Sequence, residues 1–216
     1  MTSPPPDPGT TTPDRIIEDA TLLFADHGFE KTTIRQISEA AGVNVAAINY
    51  HFSDKEALYF EVLARAHRCA QEQFPMVGAP EGMTAEQGLA LFVEGFLRRV
   101  LTEDVNLVVG RLMAHEMLRP SRALDRLVEA EIRPKMKLLE GFVQALAGRS
   151  LPADVLRRLC FTVVGQVVFY KHAAPLIGRL EPSLVFDEKE IMALTRHITS
   201  VSIAAIRTTA GEGTSE

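Results

Sequence analysis

Residues 32–55 read TTIRQISEAAGVNVAAINYHFSDK, and this stretch decides the fold. Thr32 or Thr33 can accept a hydrogen bond from a free backbone N–H and so open a helix on which Ile34, Ile37 and Ala41 share one side. Gly42 ends that helix, because a tight inter-helix turn often needs a positive φ, which glycine adopts without steric cost. Asn44 supplies a cap for a third, short helix over 45–50. Ile37, Val43 and Ile48 then point inward and fix the angle between the two helices. Ser53, with Glu56 three residues later, predicts a capping box that opens a long helix reaching Gln73.

Upstream, Thr11 or Thr12 and Pro13 begin a helix over 14–27, with Ile16, Ile17, Ala20, Leu23 and Phe24 inside and Gly28 as its stop. Residues 1–12 (MTSPPPDPGTTT) are proline-rich and nearly free of apolar side chains, which predicts a disordered tail, as does the polar end at 209–216. Downstream, PMVGAPEG at 75–82 is a hinge or linker. Five further helical stretches follow, at 84–101, 104–118, 121–147, 152–173 and 187–208, with Pro134 predicting a kink in the third. Apolar residues recur at three and four rather than two, so the expectation is an all-α protein: a three-helix helix-turn-helix domain over 13–60, joined by a long helix to a helical domain over 61–208.

The 216 residues are 46% hydrophobic and 24% charged, the make-up of a globular protein able to bury a core. No apolar run reaches the length of a membrane span, and the N-terminus has no basic segment followed by an apolar one, so neither a membrane partner nor a signal peptide is expected. Cys69 and Cys160 fall inside apparent helices without metal-ligand spacing, which reads as two reduced, buried thiols in a cytoplasmic protein. A net charge of −5 excludes a histone-like binder with a broad basic face, while leaving room for a specific one with a few well-placed cations. Residues 1–55 carry four Lys or Arg against eight Asp or Glu.

The third helix leaves small or polar groups outward at Val45, Ala46 and Asn49. Small side chains let a helix enter a major groove closely; an asparagine amide reads an adenine edge, and Val45 or Ala46 meets a thymine methyl. Around it, Thr32, Thr33 and Arg35 near a helix N-terminus, Tyr50 and His51 after the third helix, and Lys55 suit phosphate contacts, and Asn44 completes the set.

Residues 13–60 resemble the DNA-binding domain of the tetracycline-repressor family. The residues that carry the likeness are Gly28-Phe29, Thr32-Thr33, Ile34, Ala41-Gly42-Val43, Tyr50-His51-Phe52 and Lys55-Glu56-Ala57-Leu58. Asn44 stands where many relatives carry serine, and Asn49 replaces a common leucine. The resemblance implies that Thr33, Val45, Ala46, Asn49, Tyr50, His51 and Lys55 face DNA, and that a homodimer binds double-stranded operator DNA until a small-molecule effector releases it. The segments RLMAHEMLRP (111–120), ALDRLVEAEIRP (123–134) and GQVVFYKHAAP (165–175) look like the effector domain of a group linked to cefoperazone and chloramphenicol sensitivity.

For the effector, Phe92, Phe96, Met113, Met117, Met136 and Phe142 form an apolar, adaptable set, with Arg111, His115 and Gln166 as polar members. The same residues read equally well as core. His115 and Glu116 invite a metal reading, but adjacent helical positions diverge by roughly 100°, so packing or effector contact is the better role. Gly95, Gly110, Gly141 and Gly165 either allow close helix crossing or make room for the ligand. For the homodimer, the stripe Val155, Leu159, Thr162, Val163, Gln166, Val167 and Tyr170 and the stripe Ile191, Leu194, Ile198, Val201 and Ala205 offer two helices per subunit, enough for a four-helix bundle. No metal site, nucleophile elbow or phosphate loop is visible in the sequence, so neither a cofactor nor an enzyme is expected. The rival readings are a helical small-molecule carrier and a protein-interaction module that has lost DNA binding.

Overall fold

The computed structural model describes residues 11–78 and 80–212, and among these the secondary structure is helical. Residues 1–10 and 213–216, most of the two expected tails, lie outside the described residues. Thr12 and residues 209–212 are helical instead. The helices are α1 (Thr12–Lys31), α2 (Ile34–Ala40), α3 (Val45–Phe52), α4 (Lys55–Gln73), α5 (Ala85–Leu101), α6 (Glu103–Leu118), α7 (Arg122–Leu127), α8 (Arg133–Ala147), α9 (Ala153–His172), α10 (Ala174–Leu180) and α11 (Glu188–Glu212). A π-helical turn, Val128–Ile132, separates α7 from α8 just ahead of Pro134, where the kink was expected. The proline ring forbids an ordinary helical hydrogen bond at its nitrogen, and the widened turn absorbs the break. Among the described residues no single helix is long and apolar enough to cross a membrane.

The chain forms two compact units. The N-terminal one takes residues through Cys69 together with Leu107–Glu131, and the C-terminal one takes Ala70–Asn106 and the chain from Ile132 onward. A division at residue 60 misses this. Most of α6 and all of α7 belong with the helix-turn-helix, because α6 is bonded to the end of α1. Arg111 pairs with Asp26, His115 Nε2 lies 3.2 Å from the Ala25 carbonyl, and Arg119 pairs with Glu30 at 2.5 Å.

In the N-terminal unit, Ile16, Ala20, Phe24, Ile37, Ile48, Leu58 and Tyr59 are buried, with Ile17, Leu23 and Val43 half-buried. Thr11 caps α1 by accepting from the Asp14 N–H. Thr33 and Gln36 form a capping box on α2, and the Asn44 side chain accepts from the Ala47 N–H at 2.7 Å. The expected Ser53–Glu56 box does not form. Ser53 closes α3 at φ 64°, and Asp54 caps α4 instead by accepting from Ala57 N–H at 2.7 Å. Cys69 is exposed, not buried, whereas Cys160 is buried, and burial together with the charge of Glu140 pushes its thiol up to about 12.

The C-terminal unit packs α5, α8, α9 and α11 around Leu89, Phe92, Val93, Leu97, Leu139, Phe142 and Val143. This core absorbs most of the side chains expected at the dimer surface. Leu159, Val163, Val167, Ile191, Leu194 and Ile198 are all below 9% exposed, and Val155 and Tyr170 pack against the same cluster. Gln166 donates to Ser202 Oγ at 3.1 Å inside the unit. Of the two stripes only Thr162 and Val201 are exposed. The physical reason is that a helical stripe shows which face is buried but not against which partner.

Arg98 of α5 bridges Glu94 and Glu188, and its hydrogen bonds hold the Glu188 carboxyl below its ordinary value. Asp14 is likewise lowered, by Thr11 first and then Arg65. A carboxylate whose folded pKa is depressed contributes stability above its unfolded value and loses it as pH falls. Thermal midpoints should therefore drop on acidification below about 4.5, the ordinary value for Glu188, and Arg98→Ala should flatten that part of the curve.

Candidate nucleic-acid interface

Helix α3 carries one buried and one open side. Ile48 and Phe52 are buried, while Asn44, Val45, Ala46, Asn49, Tyr50 and His51 are exposed. Tyr50 is 85% exposed and Val45 41%, so an aromatic ring with a hydroxyl tip and a small apolar side chain stand open on this helix. Gly42 takes φ 61° in the turn before α3, as the turn geometry requires. Thr33 is exposed at the N-terminus of α2, where its N–H and hydroxyl both engage Gln36 Oε1.

Three expected contacts are placed differently. Thr32 is fully buried, its hydroxyl donating to the Gly28 and Leu23 carbonyls, so it closes α1 rather than facing outward. The Lys55 ammonium turns inward: it donates to the Phe29 carbonyl at 2.9 Å and the Thr32 carbonyl at 3.1 Å, and sits 4.2 Å over the Phe29 ring. A lysine at the start of one helix satisfies the carbonyls left over at the end of another. Arg35 is exposed but paired with Glu39 at 2.9 Å. Backbone carbonyls leave no trace in a residue pattern, which is why the inward course of Lys55 was not legible there.

The residues considered for an effector fall in both units. Arg111, Met113, His115 and Met117 belong to the N-terminal unit, while Phe92, Phe96, Met136, Phe142 and Gln166 belong to the C-terminal one. Arg111 and His115 are engaged with α1, and Met117 is exposed. The Phe142 ring occupies the space a side chain at Gly88 would need. Gly95 permits close approach to the Pro75 carbonyl, whereas Gly141 and Gly165 face open space. Within the C-terminal unit, an open groove of about 770 Å³ runs between α5 and α11, its wall mixing apolar Met83, Leu91, Met192 and Ile203 with charged Glu86, Glu94, Arg196 and Arg207. Among the described residues no cluster of three or more His, Cys, Asp or Glu is placed to hold a metal ion.

Residues 16–62 match the family described as bacterial regulatory proteins, tetR family, and residues 85–206 match the family described as the C-terminal domain of the HTH-type transcriptional dual regulator CecR. The chain belongs to the TetR family, with a CecR-type C-terminal domain. It is 26% identical over 203 residues to the HTH-type transcriptional dual regulator CecR of Shigella flexneri, covering 86% of each chain. With the HTH-type transcriptional repressor AcnR of Corynebacterium diphtheriae it shares 32% identity over 69% of this chain and 75% of that one. The fold is similar to that of the flavonoid-responsive regulator FrrA, with a TM-score of 0.65 and 22% identity over 90% of this chain and 96% of that one. This TetR-family chain is a DNA-binding transcriptional regulator and not an enzyme.

Proposed function

We propose that the protein is a cytoplasmic, ligand-released repressor that binds a palindromic operator as a homodimer, with α3 as the major-groove helix. The observation that carries this reading is the exposed row Val45, Ala46, Asn49 and Tyr50 on a short helix whose other side is locked into the core by Ile48 and Phe52. Thr33, Asn44, Tyr50 and His51 would hold the phosphates on either side. With Arg35 neutralised by Glu39 and Lys55 turned inward, few free cations remain, and the salt dependence of binding is expected to be shallow. Footprinting on DNA upstream of its own gene tests the reading. In the bound duplex, Asn49→Ala should erase about 1–3 kcal/mol of discrimination at one base position while leaving affinity for scrambled DNA unchanged. Equal losses on both duplexes would remove Asn49 from base reading.

Successive major grooves on one face lie about 34 Å apart, so a palindrome needs two rigidly related α3 helices and hence a dimer. The faces left open by the C-terminal core support the pairing. On α9, Phe161, Thr162, Gly165 and Phe169 are exposed, and on α11, His197, Val201 and Ala204 are exposed, each at helical spacing. Phe161 at 59% and Phe169 at 57% exposure give this surface its apolar character. These replace the buried stripe residues as the proposed interface. Gly165→Arg should convert the dimer to monomer in sedimentation and abolish operator binding together, and a variant that remains dimeric would move the interface elsewhere.

Release by a small, apolar or drug-like effector completes the reading, with the α5–α11 groove, where Met83 and Leu91 are exposed, as the place such a molecule would enter. The FrrA name records a ligand-responsive protein of similar fold. Linkage requires effector and operator to weaken each other by one factor, which reciprocal titrations measure.

A further inference from the structure

A cavity of about 490 Å³ lies wholly inside the N-terminal unit, between the end of α1 and the α6–α7 turn. Small-molecule pockets span roughly 300–1,000 Å³, so the space suits a compact organic ligand. Phe29, Leu118 and Pro120 give it apolar wall, while His115, Glu116 and Ser121 give it a polar part. It shares no residue with the α5–α11 groove.

Glu116 sets the chemistry of this cavity. The residue is 1% exposed, and a carboxylate so buried is costly unless donors surround it. One oxygen is held: Oε2 accepts from Ser121 N–H at 2.9 Å and from Ser121 Oγ at 3.1 Å. Oε1 is buried as well and has no hydrogen-bond partner. The cations of the wall do not serve it. Arg119 pairs with Glu30 at 2.5 Å, and Lys31 and Arg122 are exposed. Nor does His115 supply a donor. Its Nε2 lies 3.2 Å from the Ala25 carbonyl, which only accepts, so Nε2 carries the proton and Nδ1 of the neutral ring is a second acceptor.

An orphaned, charged acceptor selects a ligand that brings both a donor and a positive charge. A primary ammonium carries three N–H donors on one atom, and its bond to a carboxylate is charge-assisted. A neutral hydroxyl would fill the bond and leave the charge uncompensated. A metal ion fits less well, since no three His, Cys, Asp or Glu among the described residues are grouped to hold one.

We propose that this cavity binds a small organic amine, whose ammonium donates to Glu116 Oε1 while its hydrocarbon part lies against Phe29, Leu118 and Pro120. The site goes beyond the repressor reading and stands or falls without it.

The test titrates phenethylamine and phenethyl alcohol, alike in shape and unlike in charge, into the full chain at neutral pH. Calorimetry reads the affinities, and amide NMR shifts read the location. The amine is expected to bind at least about tenfold more tightly than the alcohol, with shifts gathered at 27–31 and 115–122. Glu116→Gln keeps an acceptor for Ser121 and should erase the advantage of the amine. Leu118→Lys changes a side chain that is 82% exposed, so it decides the matter even if Glu116→Gln fails to fold. The added cation should weaken the amine several-fold and leave the alcohol unchanged. Equal affinity for the two probes, no binding of the amine at millimolar concentration, or shifts confined to α5 and α11 would overturn the proposal. So would an amine affinity that either folded variant leaves untouched.

Discussion

Gly28→Ala is expected to destabilise the protein by about 3 kcal/mol, from two separable sources. Gly28 interrupts α1 at φ 77° and ψ 173°, a region open essentially to glycine alone, where other residues pay about 1–3 kcal/mol. A Cβ there would also lie 2.9 Å from His115 Nδ1 and 3.3 Å from two ring carbons. The His115 ring cannot retreat freely, because its Nε2 is engaged with the Ala25 carbonyl at 3.2 Å. Overpacking of this kind costs about 1–3 kcal/mol. For a chain of this size the sum corresponds to a fall of about 10 °C in thermal midpoint. His115→Ala in the same chain should recover the steric part and leave the backbone part, so a double variant as unstable as Gly28→Ala would show that the ring is not the obstacle.

Lys55→Met is expected to cost about 2–3 kcal/mol of stability, since charged hydrogen bonds contribute about 1.5–3 kcal/mol and an exposed cation–π contact about 0.5–1 kcal/mol. The apolar stem is kept, so the loss reports the ammonium alone. Phe29 and Thr32 would lose the donor that closes the end of α1, and the segment leading to the Thr33 cap would loosen. Operator affinity should fall as a consequence of that loosening, and amide exchange at 29–36 should rise in the free protein. A variant with unchanged denaturation midpoint and a uniform loss of affinity on every duplex would instead identify Lys55 as a phosphate contact, the role its position in the pattern implies.

The two cases show where local signals suffice. Gly42 and Asn44 act within a few residues of themselves, through φ or through a cap on the nearest turn, and the residue pattern locates both; for the cap of α2 it narrows the choice to Thr32 or Thr33, and Thr33 takes it. Ser53 shows the limit: a capping box was legible, yet closing α3 required Ser53 itself to take a positive φ, and the cap moved one residue to Asp54. Cys69 and Met117 lie on helices whose inner face depends on which unit the segment joins, and both proved exposed.

By itself the order of residues determined an all-α chain, a helix-turn-helix between 32 and 55, and an outward face at Val45, Ala46 and Asn49, because caps, glycine turns and helical periodicity are written within a turn or two of the residues that carry them. Only the tertiary structure decided that α6 and α7 join the N-terminal unit, that Lys55 and Thr32 face inward, and that the apolar stripes of α9 and α11 are core while Phe161 and Phe169 stay open. Those outcomes depend on partners tens of residues away, and no short-range pattern records which distant carbonyl, ring or helix will fill a given face.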